Sequence, residues 1–151
     1  MKKKSLKYFH LLFALLLFSG KLFADDIQSI GVPYVQNYPK SSYLSGNQNW
    51  SIAKDKSGIM YFGNAEGLLT FDGKYWQQYK MPNRQIVRSV TTSNDGIIYS
   101  GSFGEFGYWS YYNKRLRYTS LVNLIPKPHK ITDEIWKIYI DGKKIIFQSF
   151  F

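Results

Sequence analysis

The residues of this sequence best suited to chemistry are aromatic and polar side chains that could hold a ligand. Trp50 and Trp136 offer flat faces for the apolar side of a sugar, and Arg88 and Asn64 could donate hydrogen bonds to it. Asn49, which directly precedes Trp50, belongs to the same set. Together they predict binding of a carbohydrate or another small ligand. Packing of both tryptophans between structural units is the alternative interpretation.

Two glutamates raise the question of catalysis. Glu66 and Glu105 each lie shortly before a glycine, in a loop predicted to follow the second strand of a repeated unit. Two carboxylates one unit apart could perform acid and base catalysis on a sugar, whereas a loop carboxylate can also be a solvated surface group. We therefore count both glutamates as candidate ligand-binding residues.

Other signatures of enzymes are missing from the sequence. There is no Ser-His-Asp set, no phosphate-binding glycine loop, no cluster of metal ligands and no sialidase-type Ser-x-Asp-x-Gly-x-x-Trp turn. Four aspartates lie beside turn glycines, where hydrogen bonds to the backbone explain them: Asp55, Asp72, Asp95 and Asp141. The sequence predicts a protein that binds without catalysis and has neither a metal site nor a cofactor.

The composition excludes further classes. The 151 residues include no cysteine and two histidines, which excludes a disulfide framework, a thiolate zinc site and a catalytic cysteine. The net charge is +10, but five of the 20 basic residues fall in the first 21 positions, and no basic helix or arginine-rich run remains after them. We therefore expect no nucleic-acid binding.

The N-terminus has the pattern of an export signal. Residues 2–7 are basic, residues 8–18 are apolar, and a segment with small residues ends at Ala24. The apolar run is shorter than the roughly 20 residues that a membrane-spanning helix needs. We predict a signal peptide at 1–24, with an uncleaved anchor as the alternative, and an exported location outside the cytoplasm for the rest, without further membrane contact.

The remainder of the chain repeats. Gly58 and Gly96 occupy matching positions 38 residues apart (96 − 58), within matching stretches of sequence. Gly67 and Gly107 are 40 residues apart (107 − 67), which predicts two extra residues in a loop of the second copy. A third copy begins at Ile135.

Each copy is predicted to form four short antiparallel strands joined by tight turns. Apolar runs alternate with turn signals, and Gly73 and Gly96 supply the positive φ of hairpin turns. Repeats of about 40 to 50 residues with this pattern are typical of β-propeller blades. The fold class is therefore all-β. The predicted segments are an extended lead-in at 25–49, blades at 50–86 and 87–134, and the start of a third blade at 135–151.

Two blades and the start of a third form an incomplete ring, because a propeller closes with about four to eight blades. An incomplete ring exposes a strand edge and an apolar face. We expect these surfaces to be covered by missing downstream blades of a longer parent protein or by self-association. Expressed alone, the chain is expected to be insoluble or oligomeric.

The first repeat carries a more specific pattern, Trp50-x-Ile-x-x-Asp55-x-x-Gly58-x-Met-Tyr-Phe-Gly63-x-x-x-Gly67-Leu-Leu-x-Phe71-Asp72-Gly73. With the lead-in from Ile30 to Tyr43, it resembles the two-component-regulator propeller repeat proteins of Bacteroidetes-type bacteria. Members of that family carry a periplasmic propeller, a triple-tyrosine immunoglobulin-like domain, a membrane helix and a cytoplasmic output. The output is a helix-turn-helix transcription factor or, in relatives, a histidine kinase.

The resemblance implies the N-terminal part of a periplasmic ligand-sensing propeller in a two-component or one-component transmembrane regulator. Such a protein would transduce a signal by binding, with no catalysis in this chain. Two other functions stay open: a fragment of a secreted propeller enzyme acting on glycans, and a propeller that binds other proteins.

Overall fold

The fold is known from a computed structural model that describes residues 31, 34–126, 129 and 131–150. The predicted signal peptide lies outside these residues, as do residues 25–30, 32 and 33 of the predicted lead-in. No helix within the described ranges is both long enough and apolar enough to cross a membrane. The account below concerns the compact unit that begins at Asn37.

Two four-stranded antiparallel sheets and one hairpin make up this unit, which confirms the all-β class. In both sheets the strands pair in chain order, each with its sequence neighbour. Sheet 1 contains β1 (Asn49–Lys54), β2 (Met60–Asn64), β3 (Gly67–Phe71) and β4 (Trp76–Tyr79). Sheet 2 contains β5 (Ser89–Thr92), β6 (Ile98–Gly101), β7 (Phe106–Tyr112) and β8 (Arg115–Ser120), and sheet 3 contains β9 (Ile135–Asp141) and β10 (Lys144–Ser149). The described strands do not close into a ring.

Aspartates and glycines form the predicted turns. Gly73 has φ +98°, and the Asp72 carboxylate beside it accepts hydrogen bonds from the backbone N–H groups of Lys74 (2.8 Å) and Tyr75 (2.6 Å). Asp55 likewise accepts from the backbone N–H of Ile59 at 2.9 Å. The interpretation of these aspartates as turn formers is confirmed. Their carboxylates accept hydrogen bonds from backbone N–H groups in the turns.

Sheets 1 and 2 bury a shared apolar core. Trp109 of β7 is almost fully buried there, and its indole N–H donates to the Ser100 hydroxyl at 2.8 Å. The core consists of Tyr61, Leu68, Met81, Val87, Val90, Ile98, Trp109 and Leu116. Trp109 therefore has the ordinary packing role expected for large aromatic residues.

Two glycines allow the three sheets to approach one another closely. A Cβ on Gly63 would lie 2.9 Å from the Val87 carbonyl oxygen, and a Cβ on Gly101 would lie 2.5 Å from Ile135 Cβ. The Val87 N–H donates to the Asn64 carbonyl oxygen at 3.0 Å. The equivalent bond between sheets 2 and 3 runs from the Ile135 N–H to the Ser102 carbonyl oxygen. The second strands of sheets 1 and 2 thus carry a glycine, one residue before the end of β2 and at the end of β6, because the next sheet passes against it.

The structure corrects the predicted position of the inserted residues. Gly63 pairs with Leu68, and Gly101 pairs with Phe106, so the turns between second and third strands have equal length. Gly107 therefore matches Leu69 rather than Gly67. The extra residues of sheet 2 lie later, in the longer β7–β8 hairpin and in the connection that follows β8.

The mistaken alignment arose because the two glycines have different physical roles. Gly67 adopts φ +124°, and a Cβ there would also collide with the Tyr79 carbonyl oxygen, whereas Gly107 has ordinary backbone and meets only the second constraint, a collision with the Thr119 carbonyl oxygen. A glycine in a sequence pattern does not reveal which of these two constraints it meets.

The lead-in is less extended than predicted. Lys40–Tyr43 forms one helical turn, α1. The ring centroid of Tyr38, before this turn, lies 5.4 Å from that of Trp76, and the ring centroid of Tyr43, the last residue of the turn, lies 5.5 Å from it. The described part of the lead-in therefore covers an aromatic face of sheet 1, and Trp76 packs beneath it.

The close approach at Gly101 predicts a large effect of one methyl group. We expect Gly101→Ala to destabilise the protein by about 1–3 kcal/mol, because the Ile135 side chain and strand β9 must move. Ser41→Ala, at an exposed position of α1 in the same compact unit, is the control and is expected to change stability little. Urea denaturation measures both, and equal stabilities of the two variants would contradict the packing described.

The turn aspartates predict a pH dependence. The N–H of Tyr75 lowers the pKa of Asp72; burial raises the pKa of Asp55, but its hydrogen bonds outweigh burial and lower it overall. A lowered folded-state pKa stabilises the fold above the unfolded value of about 3.9, and this stability is lost as pH falls through the folded-state pKa. We expect the stability advantage of the native protein over Asp55→Asn/Asp72→Asn to shrink below about pH 4. The free energy of unfolding of both proteins is measured by urea denaturation. A stability difference that stays constant between pH 7 and pH 2 would contradict the stabilising role of the two carboxylates.

Candidate functional site

Three of the predicted site residues occupy the same position in successive sheets. Trp50 is the second residue of β1, Arg88 directly precedes β5, and Trp136 is the second residue of β9. Trp50 precedes Ser51, which pairs with Gly63, just as Arg88 precedes Ser89, which pairs with Gly101. Because the first strands β1, β5 and β9 lie side by side, their starts meet at one edge.

At this edge Arg88 contacts both tryptophans. Its guanidinium carbon lies 3.8 Å from the ring centroid of Trp50 and 4.7 Å from that of Trp136. A cation over an indole ring gains about 0.5–2 kcal/mol. We call Trp50, Arg88 and Trp136 the Trp-Arg-Trp cluster. The structure thus brings together three candidates that are 38 and 48 positions apart (88 − 50, 136 − 88).

Both tryptophans of the cluster also reach the surface. Trp50 is 42% exposed and Trp136 is 40% exposed, whereas Trp109 in the core is 2% exposed. Trp50 and Trp136 therefore differ from a tryptophan buried between sheets. Each contacts the arginine and still presents ring surface to solvent.

Glu134 completes the cluster and was missed by the sequence analysis. Its Oε1 lies 2.7 Å from Arg88 Nη2, and both side chains are largely buried. The ion pair balances the arginine charge within an aromatic environment, where an unpaired charge would be costly. Arg88 Nε is buried and has no hydrogen-bond partner among the described residues. No repeat signal could have identified Glu134, because the matching positions hold Ile86 and Gln48.

Asn64 supports the edge from inside the protein. It ends β2, is fully buried, and donates to the Gly46 carbonyl (2.7 Å) and to Asn49 Oδ1 (2.8 Å). Its own Oδ1 accepts from the Ser45 hydroxyl and from the backbone N–H groups of Gly46 and Glu66. Asn64, one of the predicted ligand-binding residues, thus fastens the lead-in to sheet 1 and positions exposed Asn49 beside Trp50.

The two glutamates occupy the predicted turns but have different surroundings. Glu66 is exposed, and its Oε2 accepts from Gln78 Nε2 at 3.3 Å. Glu105 Oε1 accepts from the hydroxyls of Tyr118 (2.9 Å) and Ser120 (2.7 Å) on β8. Burial, and then the bond to Glu105, raises the pKa of Tyr118. Glu105 therefore ties its turn to β8, and Glu66 is the more accessible of the two.

The described ranges contain no group of three or more His, Cys, Asp or Glu residues arranged to hold a metal ion. A scan against protein-family models finds no match to the chain, and a search of curated proteins finds none either.

The hydrogen bonds of Asn64 predict a structural role. We expect Asn64→Ala to lower the free energy of unfolding by about 3 kcal/mol, because it leaves buried partners in the lead-in and at the start of β1 unsatisfied. Asn123→Ala, at an exposed position after β8 with no positive φ, is the control and is expected to change stability far less. Equal losses measured by urea denaturation would contradict this role.

Proposed function

We propose that this chain is the N-terminal part of a periplasmic ligand-sensing β-propeller, in which sheets 1 and 2 are blades and sheet 3 begins the next. The proposal is supported by two sheets with the same strand order, by first strands that lie side by side, and by the motif described above. The parent protein would be an exported, membrane-anchored regulator of the two-component or one-component type. Its signal would be ligand binding, with no reaction catalysed in this chain.

The Trp-Arg-Trp cluster is the observation that carries the binding proposal. In a propeller, the starts of the first strands surround the central channel, so a ligand there would touch several blades at once. The exposed faces of Trp50 and Trp136 suit the apolar face of a sugar ring, and exposed Asn49, with Glu66 in the β2–β3 turn of the same sheet, can bond its hydroxyls. The proposed ligand is accordingly a carbohydrate or glycan fragment.

The proposed partners follow from the same architecture. They are the small ligand and either the downstream blades of the parent protein or further copies of this chain. Nucleic acid is not among them, since five of the ten net positive charges lie in the predicted signal peptide and no basic helix or arginine-rich run follows it. Beyond that peptide, no membrane contact of this segment is proposed.

The binding proposal is tested by calorimetric titration of the chain with three neutral probes: cellohexaose, laminarihexaose and maltohexaose. We expect at least one to bind, and Trp50→Ala and Trp136→Ala to weaken it about tenfold or more, the equivalent of about 1.4 kcal/mol each. Arg88→Ala is expected to abolish binding. Tyr75→Ala, which removes an exposed aromatic ring from the β3–β4 turn, is the control.

Because Arg88 also joins the sheets, the stability of each variant is measured alongside its affinity, and Arg88→Lys is included as a variant that retains the charge. Failure of all three sugars to bind, or full affinity in the Trp50 and Trp136 variants, would contradict the proposal. Appearance of shorter sugars in the titrated sample would instead favour a glycan-degrading enzyme.

A further inference from the structure

The positive charge at the Trp-Arg-Trp cluster is already neutralised from within the protein. Glu134 Oε1 lies 2.7 Å from Arg88 Nη2, and the Arg88 and Glu134 side chains are 12% and 21% exposed. The Arg88 guanidinium also lies over the rings of Trp50 and Trp136, which keep water away from it. A ligand that reaches the cluster therefore meets an ion pair without net charge.

The backbone around Glu134 is fixed to the turn between β6 and β7. Glu134 forms an antiparallel β-bridge with this turn. On one side of the bridge the Ile135 N–H donates to the Ser102 carbonyl oxygen at 3.0 Å, and on the other side the Gly104 N–H donates to the Asp133 carbonyl oxygen at 2.9 Å. The carboxylate that pairs with Arg88 is therefore carried on backbone that hydrogen bonds hold on both sides.

An anionic sugar has two unfavourable ways to bind at this cluster. If the ion pair stays intact, Glu134 repels the carboxylate of the sugar, and the surrounding indole rings strengthen this repulsion because they lower the local dielectric. If the sugar displaces Glu134 from Arg88, a largely buried carboxylate of the protein is left unpaired, which is costly. Both ways disfavour an anionic ligand.

An uncharged sugar meets neither obstacle. A hydroxyl oxygen can accept a hydrogen bond from a guanidinium N–H that Glu134 does not use, so the ion pair stays intact. The apolar ring face that stacks on an indole is also available whether C6 carries a hydroxymethyl group or a carboxylate. The two tryptophans therefore do not distinguish the two kinds of sugar, and the ion pair does.

We infer that Glu134 makes the Trp-Arg-Trp cluster selective for uncharged sugars over uronic acids. The discrimination comes from a repulsive group that the protein places beside its own cation. This inference rests on the proposed function, because it specifies which carbohydrates the same site accepts.

The inferred selectivity opposes the charge of the chain as a whole. The sequence carries a net charge of +10, which attracts anionic ligands in general. A preference for an uncharged sugar would therefore originate in the site and not in the overall electrostatic field.

The first test uses the unmodified full chain. Cellohexaose, laminarihexaose and maltohexaose are each paired with a glucuronate counterpart, in which a carboxylate replaces the hydroxymethyl group at C6 of every ring. In calorimetric titrations we expect the neutral sugar that binds best to bind about tenfold or more tightly than its counterpart. Equal or tighter binding of the glucuronate counterpart would overturn the inference.

The second test changes the charge of Glu134 and keeps its shape. In Glu134→Gln the guanidinium charge is no longer compensated, so we expect the affinity for the glucuronate counterpart to rise about tenfold or more and to fall again with added salt. The affinity for the neutral sugar should change by less than about threefold. Asp141→Asn removes an equal charge from an exposed position at the end of β9, and both affinities should stay unchanged in this control.

An unchanged glucuronate affinity in Glu134→Gln, or an equal gain in Asp141→Asn, would overturn the role of Glu134. Urea denaturation shows whether each variant is folded, and the comparison of sugars on the unmodified chain depends on no variant. Equal, Trp50-dependent binding of a neutral sugar and its glucuronate counterpart would reject this inference and leave the proposed function standing. Failure of both kinds of sugar to bind would reject the two together.

Discussion

The rest of the structure depends on the absence of a side chain at one position in each of two second strands, next to the end of β2 and at the end of β6. Gly63 and Gly101 let the backbone or side chains of the next sheet pass where a methyl group would not fit. With that approach possible, the Val87 N–H reaches the Asn64 carbonyl, and the corresponding bond joins Ile135 to Ser102 at 3.0 Å. These contacts fix the first strands side by side, and the positions that begin those strands consequently meet at one edge.

The side chains of the Trp-Arg-Trp cluster at that edge are both exposed to solvent and held in place by one another. The Arg88 guanidinium contacts two indole rings and pairs with Glu134, so its charge is compensated and its orientation is fixed. Trp50 and Trp136 are held by the same contacts, which reduces the entropy they would lose on binding a ligand. Asn64 connects the lead-in to β1 through its side-chain hydrogen bonds. The edge is thus a prearranged surface whose outer part is aromatic.

The sequence predicted the structure well where a residue type has one local role, such as forming a turn. Turn aspartates, positive-φ glycines and the 38-residue offset predicted the strands of sheets 1 and 2, and the repeat placed Trp50, Arg88 and Trp136 at equivalent positions. It misled where a residue type serves two purposes, as with Gly67 and Gly107. It was silent on Glu134, whose position carries no acid in the other copies, and it could not show that Asn64 would be buried, because burial depends on how the lead-in folds back.

The central claim is that Arg88 of sheet 2 contacts Trp136 of sheet 3. A double-mutant cycle with Arg88→Met and Trp136→Leu, measured by urea denaturation, isolates their interaction from the separate effects of each change. The account predicts a coupling energy of about 0.5–2 kcal/mol, the range of a partly desolvated cation over an indole ring. A coupling energy indistinguishable from zero would contradict the arrangement of the sheets and the site built on it.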